Sequence, residues 1–355
     1  MNNLLDTIAK HISNNLPFVA YRKPNKNLVT AFLQKDNSLD FTSEFTESGF
    51  VFAPYKKEEK AILFSDKKAL IISENIDTQE KPLRDNITTS LVDSDREKHI
   101  NIVDKAVETI KTSNLQKVVI SREELVKLKP VNILEIYKIL LSTYQNAFVY
   151  VWFHPEIGLW FGATPETLLN LKGSHFKTMS LAGTQVNTNK KDIIWKSKEL
   201  EEQQLVTNFI ETQLQPISNN LIIDKTETIN AGSLLHLRTK VSGILRRKSN
   251  LEELIRALHP TPAVCGLPRQ LASNFIDSNE SYDRTFYTGF LGELNFNITK
   301  SEIRETALFV NLRCMKIKEN TAYVYIGGGI TKDSIAEKEW EETVSKSKTM
   351  KRVLN

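Results

Sequence analysis

Four glutamates in two spaced pairs are the residues of this 355-residue chain best suited to chemistry. Glu339 and Glu342 lie near the C-terminus, followed by Lys346, and Glu199 and Glu202 repeat the same spacing in mid-chain. On a helix, at 100° per residue, Glu339, Glu342 and Lys346 fall in one narrow arc beside Trp340, Val344 and Leu354. The segment from Asp192 to about Gln215 reads as a second helix. Its wheel puts Glu202 in the middle of the face made by Leu205, Val206, Phe209 and Ile210, with Glu199 at the edge. A buried carboxylate is costly unless it is paired or metal-bound. Magnesium takes one or two carboxylates and keeps room for waters and substrate oxygens. Glu202 and Glu342, helped by Glu199 and Glu339, are therefore a candidate Mg2+ site open to a ligand. The plain alternative is that these acids are merely solvated.

The elements that must position these acids come next. Tyr323 to Ile326 suits a buried strand, Gly327 to Gly329 a tight turn, and Ser334 with Glu337 a capping box opening the last helix. Without a following Lys-Ser/Thr the glycines are a weak phosphate-loop signal. Arg313 is expected to share a strand face with Phe309 and Met315 and to offer a carboxylate its guanidinium, or else to make a structural salt bridge. Lys117 opens the run Val118, Val119, Ile120, either as an exposed strand start or as a desolvated amine. His236 reads as a satisfied core histidine more than a catalyst. The proline-rich stretch His259 to Arg269 is a rigid loop over a site or simply a turn.

Composition is that of an ordinary soluble globular protein, 40% hydrophobic and 25% charged, with a net charge of +4 that gives no case for nucleic acid. Its densest basic cluster, Arg246-Arg247-Lys248, reads as a solvated turn. Cys265 and Cys314 are too few for a disulfide framework and suit a reducing compartment. The N-terminal residues form a short amphipathic pattern and no stretch is apolar enough to span a bilayer, so a cytoplasmic monomer without membrane contact is expected. Residues 1–95 alternate short strand-like runs with polar turns. Helical segments follow around Asp93 to Lys111 and Glu135 to Leu141, and a hairpin pairs the Ala147 to Phe153 run with Leu159 to Ala163. Strands with helices between them, in no regular alternation, favour α+β. The expectation is one domain over 1–355, with a variable sheet region at 1–95 and the catalytic region at 96–355.

Taken in order, the segments KVVISR (117–122), GATPETLL (162–169), SLAGT (180–184), HPTPAVCGLPR (259–269), NLRC (311–314), GGGI (327–330) and EWEET with Lys346 resemble the chorismate-utilising enzymes, and among these the isochorismate synthases. The resemblance implies a single α+β domain of two packed antiparallel sheets with helices outside. It also implies magnesium-dependent isomerisation of chorismate to isochorismate, feeding menaquinone or siderophore synthesis. Lys117 then corresponds to the base that activates water, and Glu166 to the acid that protonates the departing hydroxyl. Such a base must be neutral near neutral pH, so desolvation and the nearby cation should lower the Lys117 pKa, and such an acid must hold its proton, so the Glu166 pKa should be raised. Glu202 and Glu342 correspond to direct Mg2+ ligands, with Glu199 and Glu339 acting through water. Arg313 and the Gly327 backbone correspond to the enolpyruvyl carboxylate site. Gly183, Thr184, His236, Ala263 and Lys346 correspond to the pocket lining. Gln203 stands where several relatives have His, and Ala336 where Pro is usual. Lys117 argues against an ammonia-using anthranilate synthase, and Ala182 against aminodeoxychorismate synthases, which carry a lysine there. The alternatives are a salicylate synthase, which resembles a pattern with Thr at Ala263, and a non-catalytic anion- or magnesium-binding module.

Overall fold

Strands whose two faces are both apolar build the frame of the molecule. In the strand Phe148–His154, Phe148, Tyr150 and Trp152 join one apolar cluster while Val149 and Val151 join another. That period-two alternation lets one strand serve an inner and an outer layer. The computed structural model describes residues 4–76, 93–129, 132–186, 193–231, 234–298 and 303–354.

Among the described residues the strands form a nine-stranded and a ten-stranded sheet, and their pairings are antiparallel. In the first, Lys117–Lys127 pairs with Thr321–Ile330, which pairs with Cys314–Lys318 and, through it, with Gly158–Thr164. In the second, Leu234–Leu245 pairs with His175–Val186, and Thr167–Lys172 with Glu305–Val310. Residues before 76 give three strands to each sheet.

Between the sheets lies an aromatic layer. Phe50, Phe52 and Phe64 of one sheet meet Tyr150, Trp152 and Trp160 of the other, with Phe64 stacked on Trp152 at 5.4 Å between ring centroids. Each such ring contributes roughly 1.5–3 kcal/mol when fully buried. Helices cover the outer faces. Ile133–Thr143 packs on the nine-stranded sheet, Ser197–Leu214 and Leu251–Leu258 on the ten-stranded one, and Asp93–Thr112 with Arg269–Asn279 close over Val118 and Ile120. The expected α+β class, two packed antiparallel sheets with helices outside, is what the structure shows. No helix among the described residues is long and apolar enough to cross a membrane. Cys265 and Cys314 are buried free thiols.

Three local expectations are corrected. Gly327, Gly328 and Gly329 form no turn; they continue the strand Thr321–Ile330 in unbroken register opposite Ser121, Ile120 and Val119. Ser334 does not cap the last helix, which runs from Ala336 to Lys351 with Ile335 as its N-cap. Its hydroxyl accepts instead from the Thr331 amide at 3.1 Å, closing a turn. Arg313 is not on one long strand with Phe309 and Met315, because one strand ends at Val310 and the next, in the other sheet, begins at Cys314.

Candidate active site

Two places where the chain passes from sheet to sheet define the site. At Pro165-Glu166 it leaves Gly158–Thr164 for Thr167–Lys172, and at Asn311 to Arg313 it returns. The crossings run side by side: the Val310 amide donates to the Glu166 carbonyl at 3.0 Å, and the Ala163 amide to that of Arg313 at 3.0 Å. Asn311 anchors them by accepting from the Tyr150 hydroxyl at 2.6 Å. Glu166 and Arg313 are thereby presented where the sheets part, into a cleft that both residues line.

Glu166 is buried, and burial pushes its carboxyl up to about 8, the nearby positive charge of Lys117 opposing only part of that rise. Lys117 has no solvent exposure. It lies just behind the cleft wall, where a side chain on Gly329 would come within 3.0 Å of its Cε, and its Nζ is 3.0 Å from Glu202 Oε1. Lys117 is therefore not an exposed strand start.

The cleft holds every expected lining residue: Gly183, Thr184, His236, Ala263, Arg313, Gly327 and Lys346. His236 is more than a core histidine. Its Nδ1 is 3.0 Å from the Gly183 carbonyl and its Nε2 is 3.4 Å from an Arg313 nitrogen. Burial, then the charges of Arg313 and Lys346, lower its pKa to about 3, so the ring is neutral: Nδ1–H donates to Gly183 and Nε2 accepts from Arg313. Gly183 occupies a bulge with φ +66°, a conformation that suits glycine. The proline-rich stretch contributes Ala263 and Val264 to the wall, so it is a loop over the site.

The acids converge from two helices. The buried face of Ser197–Leu214 is Gln203, Val206, Thr207, Ile210 and Leu214. Gln203 thus takes the central place expected for Glu202, with its amide donating to the Ser180 and Thr239 hydroxyls at 2.8 and 3.0 Å. Glu202, one position round the helix, reaches into the cleft instead. The expected start at Asp192 lies outside the described residues. Glu199 caps its own helix, accepting from the Lys196 amide at 3.1 Å. From the last helix, Glu342 pairs with Lys346 at 2.6 Å, and Lys346 also donates to the Gly327 carbonyl at 2.9 Å. Burial would raise the Glu342 carboxyl, but Lys346 brings it below the ordinary range. Glu339 is buried and bound by Lys198; burial and the Glu342 charge hold its carboxyl above that range.

These residues fit Mg2+ in kind. The donors are hard carboxylate oxygens, and the glycine strand leaves them a cradle: a Cβ on Gly329 would lie 2.2 Å from Glu202 Oε1, and one on Gly328 would lie 3.7 Å from Glu339 Oε2. Among the described residues no three acidic, His or Cys side chains are drawn together closely enough to enclose an ion as they stand. Sequence reasoning missed Lys198 and also Tyr287 and Thr288, which line the cleft from the irregular stretch after Glu280, where no periodicity marks them.

The family of chorismate binding enzymes matches residues 35–355. The chain belongs to that family. It is 32% identical over 203 residues to the isochorismate synthase DhbC of Bacillus subtilis, covering 54% of this chain and 50% of that protein. It is 30% identical over 258 residues to the isochorismate synthase MenF of Pasteurella multocida, covering 69% and 58%. These matches span about half the length of the curated relatives. A crystal structure from Bacillus anthracis, described as a 2,3-dihydroxybenzoate-specific isochorismate synthase, superposes with a TM-score of 0.80 over 98% of this chain and all of that one, at 23% identity. Anthranilate synthase component I from Streptococcus pneumoniae reaches 0.67 over 94% of this chain and 92% of that one at 20% identity, so the fold is shared beyond isochorismate synthases.

Proposed function

We propose that this chorismate-binding enzyme isomerises chorismate to isochorismate, with water as the nucleophile and Mg2+ as cofactor. The observation that carries the reading is the placing of a buried carboxyl that keeps its proton up to about pH 8, Glu166, and a fully buried amine, Lys117, at one cleft. In the forward direction Lys117, which must first be the neutral amine, takes a proton from a water that bonds to one ring carbon. The ring double bond shifts, and the hydroxyl on another carbon departs as water with the Glu166 proton. One water enters and one leaves. The pair ends with the lysine protonated and the glutamate ionised, which is the starting state for the reverse reaction. Arg313, held by neutral His236, and the Gly327 backbone would bind the enolpyruvyl carboxylate. Glu202 and Glu342 would hold Mg2+ with Glu199 and Glu339 behind them. Once bound, the ion would neutralise the ring carboxylate. The product would feed menaquinone or siderophore synthesis.

The test is product analysis by chromatography after incubation with chorismate, with Mg2+ and with excess chelator. Isochorismate formed only with the metal is expected. Pyruvate and salicylate as main products would replace the reading by a salicylate synthase, and no turnover by a binding module. Measured in the same assay, Glu202→Gln and Glu342→Gln should abolish activity, and Glu339→Gln should weaken magnesium dependence about 10- to 100-fold.

A further inference from the structure

Three of the four acids of the candidate metal site already have an ammonium on them. Lys117 is 3.0 Å from Glu202, Lys346 is 2.6 Å from Glu342, and Lys198 is bound to Glu339. Two of these lysines have other work: Lys117 is walled in without solvent exposure and is the proposed base, and Lys346 is tied to the Gly327 carbonyl. Lys198 has none. It is on the same helix face as Glu202, one turn earlier, and makes the ion pair that joins this helix to the last one among the described residues. Its partner is almost fully buried, with 2% of the Glu339 side chain exposed, whereas 23% of Lys198 remains open to solvent.

We infer that Lys198 is the internal counter-cation of the metal-free enzyme: it occupies the cation side of Glu339 and is displaced to solvent when a divalent ion binds. This rests on the magnesium reading given above. A buried carboxylate without a partner is strongly destabilising, so Glu339 needs a positive charge even before a metal arrives. A long flexible side chain with a solvent-facing stem can supply it and withdraw. The ammonium and the hydrated divalent ion then compete for the charge of the same carboxylate, so the metal binds only by the difference between the two. Pairing with lysines also accounts for acids that are close together and yet do not enclose a site as they stand.

Magnesium chloride titrated into wild type, Lys198→Met and Lys198→Arg by calorimetry, with thermal unfolding in chelator, decides it. Lys198→Met should bind Mg2+ about tenfold more tightly and melt at a lower temperature without metal, a deficit that Mg2+ removes. Lys198→Arg should resemble wild type. Equal or weaker binding by Lys198→Met overturns the inference, while absence of binding by every variant overturns the magnesium reading itself. In the wild type, amine-reactive labelling read by peptide mass spectrometry needs no variant to fold. Labelling of Lys198 should rise when Mg2+ is added, and labelling that falls or does not change would overturn the displacement.

Discussion

The strand Thr321–Ile330 has two halves that share one backbone register and one partner strand and yet do opposite things. In its first half Tyr325 stacks on Trp160 and Tyr287, with centroids 5.4 and 5.3 Å away, while Val324 and Ile326 fill the outer core. In its second half Gly327, Gly328 and Gly329 put nothing into the space their neighbours fill. Groups from elsewhere take that volume beside Gly327 and Gly329: the Tyr287 hydroxyl, and Glu202 with Lys117. The hydrogen-bonded ladder is the same in both halves. What differs is who owns the volume beside it. The active site is thus a piece of core ceded to polar side chains from three other elements.

The largest effects should come from the two groups that act on the reacting ring. Lys117→Ala and Glu166→Gln should each lower forward and reverse turnover by about 10²-fold or more, measured on protein whose magnetic resonance spectrum shows an intact fold. A folded Lys117→Ala with near-normal forward rate would remove the main reason for choosing water over ammonia. Gly329→Ala comes next. Its methyl would meet Glu202 Oε1 at 2.2 Å, closer than any real contact, so Glu202 must move. Turnover and magnesium affinity should both fall about 10- to 100-fold, because the carboxylate is pushed off line. Unchanged Mg2+ affinity by calorimetry would mean that the second half of the strand does not cradle a cation.

The pH dependence of Glu166 sharpens the same contrast. Its pKa is raised by burial to about 8 from an ordinary 4.5. Catalysis needs the protonated form, so the rate should fall about tenfold per unit above pH 8, as one macroscopic limb of the coupled pair. Stability runs the same way. Below about pH 4.5 the group is protonated in both folded and unfolded chains. As pH rises from there to 8 the unfolded chain gains by ionising and the folded one does not, so stability is lost. Glu166→Gln should therefore melt several degrees above wild type at pH 8 to 9, and by less at pH 5. A variant that is less stable at pH 8 would show that the carboxyl is held by partners that favour its charge.

Much of this was readable in the sequence, for reasons that differ by residue. The lining set from Gly183 to Lys346 lies in short strings that carry the family resemblance, and it was legible through that resemblance and not through periodicity. Glu202 was placed one residue out, because Leu205 and Phe209 are only half-buried and a polar Gln203 can hold the middle of a buried face once its amide is satisfied. The positions of Glu166 and Arg313 depend on two crossings between sheets, which leave no periodicity behind. The glycines were expected to turn because glycine favours turns. Here close approach of side chains from distant elements overrides that preference.

The smallest expected effect is the one that isolates cause. Gly328 lies between two glycines that a side chain would disrupt, yet a Cβ there would find only Glu339 Oε2, at the ordinary contact distance of 3.7 Å. If the second half of the strand is glycine because foreign side chains need the room, Gly328→Ala should be nearly silent. Alanine restricts the unfolded chain more than glycine does, which stabilises by about 0.4–1 kcal/mol where the backbone tolerates it. Melting temperature should thus stay level or rise slightly, and turnover should stay within about threefold of wild type, a factor worth less than about 1 kcal/mol. If instead the run is glycine because this backbone must flex or come close to substrate along its whole length, Gly328→Ala should fail as Gly329→Ala does. Equal losses in the two variants would mean that the halves of the strand differ in backbone freedom and not in the ownership of the space beside it.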